Sequence, residues 1–317
     1  MSPPSPDGGL FLFAAGFAGP TGRDWAPAWA RNAVEGHLSL SVLCFRCLNR
    51  AGPGALYRGV QRLLQKRIQA GLEGLGEFAQ LAIDTVWSIR YQRPSWRHFV
   101  DQLHFIGVKS QSVVLTTGAA TGMVLCAQTY FQFHKVKMDT ATGAVVSVGM
   151  CSELGPVLAG LMLTGRVGAA MSAELGTMKV TEQIDALRTL ATHPVDYLVV
   201  PRVLATIVSA PLLTAQSVVV GITASYLIGV NLLGIEGAYY LANMRRYTDP
   251  VDVLTGLIKA VIFGTIISLV SCLKGLGCRQ GAEGVGHATT ESVVAASISI
   301  LVVNFFLTLL LTRLFHG

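Results

Sequence analysis

The sequence predicts an all-α integral membrane protein with five transmembrane helices, and three observations support this fold class. Of its 317 residues, 51% are hydrophobic and only 13% are charged, whereas soluble domains carry about 25% charged residues. Five apolar runs are long enough to cross a bilayer, which requires about 20 residues. Amphipathic helical patterns precede the first of these runs.

The five apolar runs differ in how completely they exclude charge. The first is uncharged over 24 residues, the second contains Glu153, and the fourth contains Lys259. The third is uncharged for 32 residues, which predicts a tilted span, a kink at Pro211 or an extension at its far end. The predicted spans are residues 110–133, 141–165, 203–230, 251–273 and 292–311.

Two amphipathic helices are predicted before the first span. In residues 72–86, apolar side chains recur at helical spacing opposite acidic and amide side chains. A second helix from Ser95 places Trp96 and Phe99 on its apolar face and basic residues elsewhere, which is typical of a helix lying in the membrane interface. An ordinary packed surface helix is the alternative. Residues 1–60 show no periodic pattern and are predicted to be a poorly defined, disordered extension.

The basic residues predict the orientation of the chain in the membrane. With the N-terminus in the cytoplasm, ten Lys and Arg residues flank the inner ends of the spans and five flank the outer ends. Cytoplasmic flanks carry the excess of Lys and Arg, so this orientation is favoured, and the C-terminus lies outside. The net charge of +6 is then explained by cytoplasmic loops and anionic lipid headgroups rather than by nucleic acid.

Glu153 and Pro156 are the first candidates for a functional role. A carboxylate within an apolar span is costly and is a functional hypothesis by default. Pro156 follows three residues later and removes a backbone donor, which predicts a kink. The alternative is that Glu153 pairs with a neighbouring helix and only stabilises packing. Arg166 lies about 20 Å further along a helix, so a direct pair with Glu153 is excluded unless the helix breaks.

A stripe of small residues runs along the second span and beyond it. Small residues at every fourth position let helices approach closely, which predicts helix packing. The packing partner is either another helix of the chain or a second copy of it. The stripe consists of Gly160, Thr164, Gly168, Ser172 and Gly176.

A short charged helix is predicted at 181–191, in the cytoplasmic segment between the second and third spans. Val180, Ile184, Leu187 and Ala191 form an apolar stripe, which predicts docking into a groove on a partner protein. An amphipathic helix lying on the bilayer is the alternative, but anionic lipids would repel its acidic residues. The charged and amide residues that cover the remaining surface are Glu182, Gln183, Asp185 and Arg188.

Motifs for enzymatic or metal chemistry are missing from the sequence. The glycine-rich segment 275–286 suggests a phosphate cradle, but the chain has no Gly-Lys dipeptide and therefore no P-loop. Glu283 in this cytoplasmic loop is predicted to be solvated or to face a partner. Cys44 and Cys47 have metal or redox spacing, but no second pair of ligands accompanies them. We therefore predict no catalytic residue, no metal site and no cofactor in this chain.

Two long motifs resemble the MlaE-type permeases, the membrane subunits of lipid-transporting ABC systems. The first reads ELGPVLAGLMLTGRVGAAMSAELGTMKVTEQIDAL and begins at Glu153; the second is GAEGVG at 281–286, followed by Ala288-Thr-Thr290. The similarity extends from about residue 62 to the C-terminus. The resemblance therefore implies a permease domain at 61–317.

The resemblance implies an interfacial N-terminal helix, five spans and a location in the inner membrane. It implies a homodimer that carries two copies of a cytoplasmic ATPase, which binds ATP and magnesium. It also implies a periplasmic partner with an MCE domain and, in some systems, a STAS-domain protein. The helix at 182–187 corresponds to the family's coupling helix, and the dimer would enclose a lipid pocket near the outer leaflet lined by the first, second and fifth spans.

Two positions depart from the pattern of the family. Some relatives carry Arg before the glutamate of the ELGP motif, where this chain has Ser152, and many carry Asp where Asn304 stands in the last span. Both differences lower the charge inside the membrane. Asn304 is therefore assigned, with Glu153 and Pro156, to the predicted lipid pocket or transport path.

The function predicted from the sequence is transport of phospholipid or a related lipid between the inner membrane and a periplasmic carrier, driven by a separate ATPase. Three alternatives remain open. A proton-coupled secondary transporter would use Glu153 as its proton carrier, but no second acid or histidine lies at matching depth and no inverted repeat is visible. An intramembrane enzyme would need a nucleophile and a base at one depth. A scaffold would only anchor the partners.

Overall fold

A computed structural model describes residues 74–90, 96–191, 193–279 and 281–316, and within these ranges the protein is built of helices joined by short turns. The described residues belong to one compact unit, Glu73–Gly317. Residues 1–60, with Cys44 and Cys47, lie outside the described ranges. The eight described helices are α1 (74–90), α2 (Trp96–His134), α3 (Asp139–Val180), α4 (Gln183–Thr189), α5 (Val195–Asn231), α6 (Gly237–Tyr247), α7 (Pro250–Leu276) and α8 (Ala282–His316).

The prediction of five membrane spans is confirmed, since α2, α3, α5, α7 and α8 are each long and apolar enough to cross a bilayer. Several of them are longer than predicted. With 42 residues, α3 extends about 60 Å at 1.5 Å per residue, twice the thickness of the hydrocarbon core. The predicted limits lie where charged residues begin, whereas a helix continues past charged residues until its backbone hydrogen bonding ends.

The structure alters two predicted boundaries. The amphipathic helix that begins near Ser95 does not stop before the first span but continues into it through a π-helical turn, His104–Val108. The glycine-rich loop is also shorter than expected, because α7 continues to Leu276 and α8 begins at Ala282. Gly281, whose φ is +94°, occupies the turn between them, where a residue with a Cβ would be strained. Glu283 is exposed in the first turn of α8.

Three of the spans, α3, α5 and α8, pack against α7, and α2 packs on α5. One hydrophobic cluster lies between these helices and α2 and includes Ile106, Leu163, Phe263 and Ile300. A second, which we call the base cluster, brings residues of α1 and α4 against three spans. It consists of Leu81, Leu175, Ile184, Leu198, Val199, Val203, Leu269 and Cys272.

The short helix α6 is held against α5 by Tyr240. This side chain is fully buried, and its hydroxyl lies 3.1 Å from Ser225 Oγ of α5. Burial raises the pKa of Tyr240 to about 12. Asn243 of α6 donates to the Thr140 carbonyl at 2.8 Å, which ties the same helix to the start of α3.

Glycines allow α2 and α5 to approach each other closely. A Cβ added at Gly122 would collide with the backbone of Gly221, whereas a Cβ added at Gly165 would meet nothing within 4 Å. We expect Gly122→Ala to lower the free energy of unfolding by about 1–3 kcal/mol through overpacking. Gly165→Ala should be neutral or stabilising by up to about 1 kcal/mol, because alanine favours the helix. Denaturant unfolding in detergent measures both, and equal stability of the two variants would contradict the packing described here.

Candidate functional site

A cluster of polar side chains joins three spans around one buried lysine. Lys259 of α7 points at α3, where its Nζ lies 2.6 Å from Glu153 Oε1 and 3.0 Å from the Ser152 carbonyl oxygen. Thr308 of α8 lies 2.9 Å from the same Nζ through its Oγ1. Asn304, one turn earlier in α8, donates from Nδ2 to Glu153 Oε2 at 3.3 Å. We call these five residues the polar cluster.

The local sequence of α3 explains why a backbone carbonyl takes part in the cluster. Proline has no N–H, so Pro156 cannot donate to the carbonyl four residues earlier, which is that of Ser152. That carbonyl instead accepts from Lys259. The same stretch is a π-helical turn, Met150–Leu154, in which the Gly155 N–H bonds to the Met150 carbonyl. Pro156 therefore acts through the backbone, and its own side chain is buried.

Lys259 is fully buried, and its ammonium group has three acceptors in the cluster, which equals the number of its N–H donors. A buried charge is tolerated only when it is paired and hydrogen-bonded. Glu153 supplies the opposite charge, and the Thr308 hydroxyl and the Ser152 carbonyl complete the coordination. Lys259 therefore has no donor left over for an additional ligand in this conformation.

Glu153 differs from its partner because its side chain remains 37% exposed. The carboxylate thus belongs partly to the surface of the helix bundle, while the ammonium lies entirely within it. The cluster is neutral overall, since it contains one acid, one base and the uncharged Asn304. The Asn304 Oδ1 is buried and has no hydrogen-bond partner among the described residues.

The structure brings together the predicted pocket residues Glu153 and Asn304, which are far apart in sequence, and places Pro156 one turn from Glu153. Sequence reasoning did not assign Lys259 or Thr308 to this site. Lys259 is the only basic residue inside the five predicted spans, and that signal could have identified it. The interpretation that Glu153 pairs with a neighbouring helix describes this geometry well.

Arg166 is not part of the cluster, as its distance along α3 predicted. Its Nη1 donates to Ser110 Oγ at 2.6 Å, near the start of the first predicted span. Within the described ranges, no group of three or more His, Cys, Asp and Glu residues could hold a metal ion.

The stripe of small residues packs inside the chain, against residues of the same protomer. Gly160 faces Phe263 and Ile300, and Gly168 faces Ser271. Ser172 donates to the Ala288 carbonyl at 3.2 Å. All five members of the stripe are buried within the protomer: Gly160, Thr164, Gly168, Ser172 and Gly176. We therefore expect a second copy to contact other surfaces.

The predicted coupling helix exists as α4, but its apolar stripe faces inward. Ile184 is only 1% exposed and belongs to the base cluster, and Leu187 packs against that cluster. The prediction that this stripe enters a groove on a partner is therefore wrong for Ile184, because α4 is too short to stay folded without burying it. The predicted residues that remain exposed are Glu182, Gln183 and Arg188.

Asp185 pairs with two basic side chains on the exposed surface of α4. It accepts from Lys179 Nζ at 3.3 Å and from Arg188 Nη1 at 3.3 Å. Glu182 precedes the helix with a φ of +58°, a conformation that is uncommon for a residue with a side chain. This turn directs α3 into α4 and leaves the Glu182 side chain exposed.

Removing only Glu153 from the polar cluster should destabilise the protein more than removing Glu153 and Lys259 together. Glu153→Ala leaves the buried ammonium of Lys259 without its counter-charge, which should cost about 3–5 kcal/mol of unfolding free energy. Glu153→Ala combined with Lys259→Met removes the uncompensated charge and should recover much of that loss. As a control, Glu291→Ala breaks an ion pair with Lys274 that is exposed on both sides, and should cost less than about 1 kcal/mol. Unfolding in detergent measures all three variants, and similar losses for the two single variants would contradict the buried pairing.

Comparison with known proteins identifies the family of this five-span chain. The family described as Permease MlaE matches residues 99–310. A probable ABC transporter permease protein of Rickettsia conorii is 43% identical over 243 residues, which cover 77% of this chain and 94% of the relative. A probable ABC transporter permease protein of Synechocystis is 40% identical over 215 residues, covering 68% and 82%. The intermembrane phospholipid transport system permease protein MlaE of Haemophilus influenzae is 35% identical over 216 residues, covering 67% and 83%. The chain belongs to the MlaE permease family.

Proposed function

We propose that the chain is the permease subunit of an ABC transporter that moves phospholipid or a related lipid between the inner membrane and a periplasmic MCE-domain carrier. A separate cytoplasmic ATPase supplies the energy. Membership of the family and the phospholipid transport named for the Haemophilus relative support this proposal. The structural observation that favours it most is a half-exposed carboxylate, Glu153, fixed by Lys259 on the surface of an apolar helix bundle.

A lipid needs an apolar surface for its tails and a few polar groups for its headgroup. The polar cluster offers such groups beside an extensive apolar surface. Exposed side chains of α8 near the cluster include Leu301, Phe305 and Leu309. In the proposal, this surface and the neighbouring part of α3 line a lipid path, and a second copy of the chain closes it from the other side.

The proposed homodimer would use surfaces other than the stripe of small residues. Of the five spans, α8 is the least covered by the rest of the chain. Its exposed apolar side chains therefore face either lipid tails or the second copy. In the proposed orientation the N-terminus is cytoplasmic, the C-terminus is periplasmic, and α6 faces the MCE-domain partner. A STAS-domain subunit would bind on the ATPase side.

The contact with the ATPase is proposed to involve the exposed face of α4. Glu182, Gln183 and Arg188 lie on this face, and Asp185 holds Arg188 in place. Ile184 and Leu187 have a different role in this proposal, because they join α4 to the base cluster. A force applied to the exposed face would thus be passed to the spans through these two side chains.

Reconstitution tests the proposal against proton-coupled transport. The permease, purified with the ATPase that accompanies it from its native membrane, is placed in proteoliposomes containing fluorescent phospholipid. We expect lipid transfer to an added MCE-domain acceptor only with hydrolysable ATP. Glu153→Gln should slow this transfer without removing its need for ATP. Transfer that needs no nucleotide, follows a pH gradient and disappears in Glu153→Gln would instead establish the proton-coupled alternative.

A substitution on the exposed face of α4 should impair activity without impairing folding. The Arg188 side chain is 63% exposed, so Arg188→Glu should leave unfolding within about 0.5 kcal/mol of the wild type. The reversed charge should nevertheless reduce lipid-stimulated ATP hydrolysis by about fivefold or more. Arg90→Glu, an equally drastic change at an exposed position at the end of α1, serves as the matched control and should hydrolyse ATP normally. Normal stimulation of Arg188→Glu would remove this face of α4 from the proposed interface.

A further inference from the structure

A second ion pair with a buried cation lies at the base of α3 and α5. Arg202 of α5 places its Nη2 3.0 Å from Glu174 Oε1 of α3, and its Nη1 donates to the Leu198 carbonyl at 2.9 Å. The Arg202 side chain is 4% exposed and the Glu174 side chain 49%. The buried guanidinium therefore depends on a carboxylate that lies at the protein surface.

This pair bridges the last part of α3 and the first part of α5, whose backbones have little contact with each other. The last part of α3, Ala169–Val180, packs on α7 and α8, and α5 packs on α2 and α7, whereas backbone contacts between the end of α3 and α5 are few. The planar guanidinium with its fixed fork of donors spans this separation and holds a defined geometry. The ion pair thus links the two helix ends directly.

The position of the pair relates it to α4. The chain leaves α3 after Glu174, forms α4, and returns into α5 before Arg202. Ile184, the buried residue of α4, packs into the base cluster with Leu175 and Val203, which are the neighbours of Glu174 and Arg202 in sequence. The ion pair therefore joins α3 and α5, and the base cluster joins the same two helices to α4.

We propose that Glu174 and Arg202 are positioning residues of the transport cycle, which make the ends of α3 and α5 one body so that a displacement of α4 moves both spans together. The inference rests on the proposed function, because it assumes that α4 receives the motion of an ATPase. Without the pair, only the apolar contacts of the base cluster would join the ends of α3 and α5. Such contacts are non-directional, so the two spans could respond separately. Neither residue touches lipid or nucleotide in this role.

The test measures how many lipids are transferred per ATP hydrolysed by the intact complex in proteoliposomes, together with thermal stability. Glu174→Ala should lower both quantities, because it leaves Arg202 buried without a counter-charge. Adding Arg202→Met to Glu174→Ala removes that charge and should restore stability. The double variant should nevertheless transfer at least about fivefold fewer lipids per ATP than the wild type, since the bridge is still missing. Glu174→Asp keeps the carboxylate. When it is assayed at a temperature at which it is as stable as the wild type, it should transfer nearly as many lipids per ATP as the wild type.

The double variant distinguishes positioning from a purely structural role. If the pair only stabilises the fold, the double variant will recover the lipid-to-ATP ratio along with its stability, and that result would overturn the inference. Thr177→Ala, an exposed position of α3 close to Glu174, is the control and should behave as the wild type. If the wild type itself shows no ATP-dependent transfer, the proposed function fails. Normal ratios in every variant of an active wild type would refute only the positioning role.

Discussion

The burial of a lysine ammonium among apolar helices is the constraint on which the arrangement of the spans depends. Burying an ammonium group is costly unless it is paired and hydrogen-bonded, and the helix of Lys259 supplies none of its three acceptors. Two of them come from α3 and one from α8, so satisfying the ammonium fixes these three spans relative to one another. The missing N–H of Pro156 frees one acceptor, which links a feature of the sequence to a contact between helices.

The two ion pairs with buried cations share one design. In each, α3 supplies the acid, a neighbouring span supplies the cation, and the cation is buried while the acid is half exposed. Glu153 and Glu174 lie about 30 Å apart along the axis of α3. The helix therefore carries one pair within the predicted span and another at its far end, beside α4. This arrangement makes α3 the element through which an event at α4 would reach the polar cluster.

Small residues complete this architecture by allowing the backbones to meet. The stripe from Gly160 to Gly176 lets α3 lie against α7 and α8, and glycines at the contact of α2 with α5 have the same effect. Without a hydrophobic driving force between helices in lipid, such close packing and the polar contacts hold the spans together. The stripe is buried within the protomer, whereas the exposed surface of α8 remains available to lipid or to a second copy.

The sequence alone determined the fold class, the five spans and the presence of a short charged helix between the second and third of them. These features depend on local composition and on helical periodicity, both of which can be read from the sequence. It also singled out Glu153, because an acid in an apolar run is conspicuous. Only the tertiary structure decided that Lys259 and Thr308 complete the cluster, that Ile184 faces inward, and that Arg202 reaches Glu174. Each of these depends on which helix faces which, and helix orientation is set by packing between residues far apart in sequence rather than by any local pattern.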